Sequence, residues 1–132
     1  MRVLKQRKTE GRLSRDRHAV NSAREKMRIT KGDNVRVVRG DDAGREGKVI
    51  RVYPKTGRVL VEGVNMVKKH RRARGPEEEG GIITAPAPVH ASNVMLIDPQ
   101  SDRVTRVRMR LDTDGTKERV GARSGEPIPR NR

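Results

Sequence analysis

Apolar and polar positions alternate most clearly between residues 34 and 64, where runs rich in Val, Ile and Leu are separated by Gly40, Gly44, Gly47, Pro54 and Gly57. β-Branched side chains fit a pleated, half-buried surface, and glycine or proline between such runs supplies turns. The pattern predicts a first strand over residues 34–39, with Val35 and Val37 alternating against Asn34, Arg36 and Val38, and then a Gly-rich loop over 40–46. A second strand over 47–53 alternates weakly because Val49, Ile50 and Val52 fall on both faces, as in a strand that curls through a small closed barrel. Pro54 to Gly57 predict a hairpin turn, and a third strand covers 58–64. Residues 82–84 and 94–97, on either side of a turn-rich stretch with Pro86, Pro88 and Asn93, predict two more strands and complete a five-stranded barrel.

The flanks have a different texture. Residues 103–111 alternate almost strictly, and Asp114-Gly115 offers a hairpin turn before 116–120. A two-stranded ribbon is marginal alone, so this one is expected to lean on the barrel or on a partner. Residues 124–132 read as an unstructured end. Residues 1–28 carry no sustained apolar period, and Val3, Leu4, Leu13, Ala19, Val20 and Ala23 cannot form a core by themselves. They read as a solvated basic tail, or as an arm that orders on RNA. The resulting division is a basic N-terminal extension over 1–27, disordered without RNA, a barrel over 28–98, and a C-terminal β-hairpin and tail over 99–132. Met27 opens a segment that is itself a natural start for the barrel.

Composition narrows the chemistry. The chain has 132 residues, an apolar share of 31%, one aromatic residue (Tyr53) and a formal charge of +15. Its core must therefore be small and aliphatic, and its partner polyanionic, with nucleic acid the commonest candidate. The charge is spread along the chain, with nets of +7 over 1–28, +4 over 29–98 and +4 over 99–132. Zero cysteines exclude disulfides and thiolate metal sites and fit a reducing compartment. No apolar run approaches the roughly 18 residues of a membrane span. Charge without an apolar h-region argues against a secretory signal, and Glu10, Asp16 and Glu25 argue against an organellar transit peptide.

The loop from Gly40 through Lys48 resembles a phosphate-binding P-loop but departs from it at Asp42, where glycine is needed, and at Val49, where Ser or Thr is needed; a strand also follows instead of a helix. Asp41 and Asp42 are adjacent and so tend to point apart, and His18, His70 and His90 lack any paired spacing, which leaves no metal site. His90 is expected to cap or pack beside Ser92 and Asn93. No nucleophile, base and orienting group assemble, so neither an enzyme nor a cofactor is expected. The cationic side of the sheet, with Arg39 beside its first strand, and the basic run Lys68, Lys69, His70, Arg71, Arg72, Ala73, Arg74 point instead to phosphate. Without aromatics there is no stacking platform for single-stranded bases, so recognition is expected to work through phosphate and shape.

Residues 32–61 resemble a KOW motif, with Gly47 at its characteristic glycine. The stretches VEGVNMVKKH (61–70), GGII (80–83), HASNVML (90–96) and residues 105–126 further resemble the bacterial form of the large-subunit ribosomal protein family numbered twenty-four, over about residues 27–128. The resemblance implies an SH3-like barrel, mainly β, in a structural constituent of the large ribosomal subunit. It implies binding to the 5′ domain of large-subunit rRNA early in assembly, among neighbouring ribosomal proteins, on cytoplasmic ribosomes. By matching position, Lys31, Gly40, Gly44, Arg45, Gly47, Lys48, Asn65, Lys68, Lys69 and His70 are the implied RNA contacts. The turn Tyr53, Pro54, Lys55, Thr56, Gly57, Arg58 corresponds to a hairpin beside the tunnel exit, within reach of the nascent chain or targeting factors. The chain departs from the family at Asp41 and Ala43, where lysines are usual, and residues 1–26 have no counterpart. A KOW-containing transcription-elongation or RNA-processing factor is the alternative reading; the blocks beyond the KOW motif discriminate against it.

Overall fold

The computed structural model describes residues 25–130, so nearly all of the expected N-terminal extension, and the last two residues, lie outside the described part. In chain order the strands are β1 (Asn34–Val37), β2 (Glu46–Tyr53), β3 (Arg58–Val61), β4 (Met66–Arg71), β5 (Gly81–Pro86), β6 (Val89–His90), β7 (Val94–Ile97), β8 (Val104–Thr105), β9 (Val107–Leu111) and β10 (Lys117–Gly121). A single 3-10 turn, Ala91–Asn93, joins β6 to β7. The fold is mainly β, as the pattern predicts, and SH3-like, as the resemblance to the KOW motif implies.

Period-two alternation sets the main sheet. Val35 and Val37 of β1, Val59 and Val61 of β3, and Val94 and Leu96 of β7 turn to one side and are buried. The strands run in the order β6-β3-β2-β1-β7-β8 with every neighbouring pair antiparallel. The weak alternation of β2 comes from a register shift between Val49 and Arg51: the irregularity at Ile50 leaves that residue 41% exposed while Val49 stays buried. Five of these strands, β1, β2, β3, β6 and β7, supply the five-stranded arrangement, and β8 extends its edge.

Two expectations are corrected. Residues 82–84 do not join the main sheet; they lie in β5, which pairs with β4 in a separate ribbon. Neither strand of that ribbon contains a buried residue, and Ile82 is 64% exposed, so no inward face was available to enlist it in the core. Residues 124–130 are not an unstructured end. Ile128 is buried in the core cluster, its N–H donates to the Arg119 carbonyl at 2.7 Å, and Pro127 bridges to Val120. One well-placed isoleucine outweighs the turn-forming residues around it.

Eight of the ten residues in the core cluster are valine, the others being Leu96 and Ile128, so the interior is stiff and leaves little slack for a change of volume. Val107, a member of the core cluster, seats the β9–β10 ribbon on the main core, and Val120 is buried where it bridges to Pro127, as expected for a hairpin that cannot stand alone. Its turn is closed at Gly115. Close by, the Ser124 hydroxyl and the Gln100 amide beside the buried Asp98 carboxyl hold it below the usual carboxylate range.

Gly47 has a packing reason of its own. A Cβ at this position would lie 2.4 Å from the Glu62 carbonyl oxygen and 2.8 Å from Val61 Cγ1, because the chain leaving β3 crosses directly over it. Glu62 N–H donates to the Lys48 carbonyl at 3.0 Å and locks that crossing. Gly47→Ala is expected to lower stability by about 1–3 kcal/mol through overpacking. Urea unfolding measures it, and a loss below about 0.5 kcal/mol would mean that the crossing relaxes freely.

Candidate nucleic-acid interface

The loop between β1 and β2 folds back on itself through backbone bonds. Gly44 N–H donates to the Val37 carbonyl at 2.7 Å, Val37 N–H to the Arg45 carbonyl at 2.8 Å, and Val38 N–H reaches across to the Asn93 carbonyl at 2.8 Å. Gly40 and Gly44 take the left-handed region, with φ of 107° and 91°, and nothing stands within 4 Å of where their side chains would be. The loop therefore offers a bare backbone surface that a phosphate or ribose can approach. Arg39 and Arg45 are exposed on it.

The two aspartates of this loop behave differently. Asp42 accepts the Asn65 N–H at 2.7 Å and pairs with Arg45 at 3.1 Å, so its charge is locally engaged. That bond holds Asn65 in the left-handed conformation, φ 53°, which asparagine tolerates better than most residues. Asp41 lies at the rim of a cavity of about 340 Å³. Among the described residues, no group of three or more His, Cys, Asp or Glu is placed to hold a metal ion.

That cavity brings several candidate residues together. Arg39, Gly40 and Asn65 line it with Arg58, His90 and Asn93, over a floor of Val37, Val64, Pro88 and Val89. The resemblance puts Arg58 in the hairpin; its cross-strand partner is His90, and its side chain lines this cavity as well. His90 caps the 3-10 turn, as expected, its Nδ1 accepting the Ser92 N–H at 3.2 Å. Sequence reasoning gave no binding role to His90, Asn93 or Asp41. The register of β3 with β6, which joins residues 32 apart, left no local trace of the grouping.

Lys31, Gly44, Arg45, Gly47 and Lys48 do not line the cavity. Lys31 is exposed in the turn before β1, Lys48 is exposed in β2, and Gly47 sits half-buried under Glu62. The basic run forms β4 itself: Lys68, Lys69, His70 and Arg71 are all exposed, and Arg72 follows them. Arg71 approaches Glu78 at 3.7 Å, and no other carboxylate of the described residues pairs with the run. The β4–β5 ribbon is thus a cationic arm whose charge is almost uncompensated.

The hairpin of residues 53–58 stands apart. The Arg51 guanidinium lies 5.2 Å from the Tyr53 ring centroid, and a cavity of about 490 Å³ is lined by residues 51–56. Glu25 N–H donates to the Pro54 carbonyl at 2.9 Å, so the chain preceding the barrel leaves beside this turn. Among the described residues no helix is long and apolar enough to cross a membrane.

Residues 31–62 match the KOW motif, and residues 64–128 match the family described as large ribosomal subunit protein uL24, C-terminal domain. The chain is 49% identical over 102 residues to the large ribosomal subunit protein uL24 of Clostridioides difficile (strain 630), covering 77% of this chain and 100% of that protein. It is 48% identical over 106 residues to the uL24 protein of Frankia alni, covering 77% of this chain and 96% of that one. The uL24 protein of Staphylococcus aureus (strain JH9) is 50% identical over 105 residues, which cover 80% of this chain and 99% of that protein.

Proposed function

The chain belongs to the uL24 family of large ribosomal subunit proteins, structural components and not enzymes, and from that premise we propose that it binds the 5′ domain of large-subunit rRNA and helps to initiate subunit assembly. The observation that supports rRNA binding most is the exposed, almost uncompensated charge of β4. A two-stranded ribbon without a core of its own has little reason to hold three Lys and Arg residues within four positions unless an anion neutralises them. The contacts are Lys31, Arg39, Gly40, Gly44, Arg45, Gly47, Lys48, Asn65, Lys68, Lys69, His70, Arg71 and Arg72, with Gly47 acting through the backbone path it permits. The basic N-terminal residues, which lie outside the described part, add further phosphate contacts. The hairpin from Tyr53 to Arg58 lies near the tunnel exit, where nascent chains and targeting factors pass.

The mechanism is charge neutralisation and backbone approach where RNA helices converge, so affinity follows counterion release. Binding of the full chain to large-subunit rRNA is expected to weaken roughly a hundredfold or more between about 50 and 200 mM salt. Filter binding across a salt series measures this, and an affinity that barely changes would reject the phosphate mechanism. Sucrose-gradient sedimentation of cell extract should place the chain in large-subunit fractions; its appearance only with RNA polymerase would favour a transcription factor instead.

A further inference from the structure

The cavity beside the β1–β2 loop has the composition of a nucleoside site and not of a bare phosphate contact. Its apolar wall is formed by Pro88 and Val89, both half-buried, which a phosphate has no use for, while Val37 and Val64 lie beneath it in the core. Its rim carries Arg39 and Arg58, neither of which is paired with a carboxylate among the described residues. At about 340 Å³ it stands at the lower end of small-ligand clefts, about 300–1,000 Å³, room for one base and its sugar but not for a duplex edge. We propose that it holds a single unpaired nucleotide of the bound RNA, its base against Pro88 and Val89 and its phosphate on Arg39 and Arg58. The inference rests on the reading of the chain as an rRNA-binding protein.

Three features orient such a nucleotide. His90 Nδ1 is turned to Ser92, whose N–H it accepts, so Nε2 is the ring nitrogen left to meet a nucleotide. Asp41 and Asp42 both line the cavity, but Asp42 is engaged by Asn65 and Arg45, so Asp41 is the carboxylate turned to a ligand. A carboxylate repels phosphate but accepts from the exocyclic amino group of adenine, guanine or cytosine, so the base edge turns toward Asp41. With the guanidinium groups of Arg39 and Arg58 on the phosphate, the base lies on the apolar wall of Pro88 and Val89. The walls are fixed before binding, since Val38 N–H is tied to Asn93, Asn65 N–H is tied to Asp42, and Arg58 is in register with His90.

The test is an NMR titration of the full chain with AMP, GMP, CMP, UMP and inorganic phosphate. The amino-bearing nucleotides should shift the Val37, Val89 and Asn93 amides, with UMP about fivefold weaker or more, and Asp41→Asn should erase that preference. Inorganic phosphate reproducing the same shifts, or no nucleotide producing them, overturns the inference. A second measurement separates it from the broader reading: Arg58→Gln, at an exposed position, should weaken rRNA binding about tenfold and uncover one nucleotide to base-modifying reagents. If the wild-type chain does not bind the RNA, the rRNA reading fails; if it binds and Arg58→Gln changes neither affinity nor footprint, this inference fails alone.

Discussion

Arg119→Ala is expected to lower the free energy of unfolding by about 3–5 kcal/mol, a large share of the roughly 5–15 kcal/mol that holds a typical domain together. Arg119 is 1% exposed, and its guanidinium forms a two-pronged pair with Asp33, Nη1 to Oδ2 at 2.7 Å and Nη2 to Oδ1 at 3.0 Å. The same group donates to the Arg28 carbonyl at 2.9 Å and to the Pro129 carbonyl at 2.8 Å. One side chain therefore joins the segment entering β1, the second strand of the C-terminal ribbon and the final stretch of the chain. Truncating it leaves the Asp33 carboxylate buried without its counter-charge, although the Thr30 amide at 2.7 Å still donates to that carboxylate.

The size of the loss measures stranded charge and not the worth of the pair. Arg119 Nε is buried with no hydrogen-bond partner, so even the intact pair is incompletely satisfied. The double variant Asp33→Leu/Arg119→Met, which removes both charges and puts apolar side chains of similar branching and length in their place, should recover most of the stability lost by either single change. Urea unfolding of the four proteins in a double-mutant cycle checks this. A single-variant loss below about 1 kcal/mol would show that water reaches the pair and that the C-terminal segment is not tied down by it.

This pair also marks where sequence reading stopped. β1, β3 and β7 were legible because valine and leucine repeat at every second position and the buried side follows directly. The turn before Arg58 and the seat of the β9–β10 ribbon were legible for the same kind of local reason, turn chemistry and alternation. Arg119 and Asp33 stand 86 residues apart, and a charged residue within a basic ribbon gives no local sign that it turns inward. Ile128 was missed because one apolar residue among Gly125, Pro127 and Pro129 carries no period. β4 was missed as a strand because Lys68, Lys69, His70 and Arg71 show one polarity on both faces, which is how a ribbon exposed on both faces must read. Arg39, Gly40 and Asn65 were named singly from the sequence, but their grouping around one cavity with Arg58 and His90 depends on the pairing of Arg58 with His90 and of Asn65 with Asp42. Neither can be seen until the sheet has closed over them.

That double exposure of β4 makes the ribbon the place where binding can be altered without altering the fold. The triple variant Lys68→Ala/Lys69→Ala/Arg71→Ala is expected to weaken binding to large-subunit rRNA by about 10²–10³-fold near 0.1 M salt and to flatten the salt slope by about two to three. Lys68 and Lys69 pair across the ribbon with Thr84 and Ile83 and bury nothing, so their truncation opens no cavity. Arg71 gives up only its 3.7 Å contact with Glu78, an exposed ion pair worth at most about 1 kcal/mol. The backbone bonds between β4 and β5 do not depend on these side chains. Thermal unfolding should therefore move by no more than a few degrees. Replacing both lysines by arginine instead, which keeps the charge, should preserve the salt slope and separate charge from side-chain shape. Unchanged affinity and slope in the alanine triple would remove β4 from the RNA surface and leave the β1–β2 loop and Lys31 to account for binding.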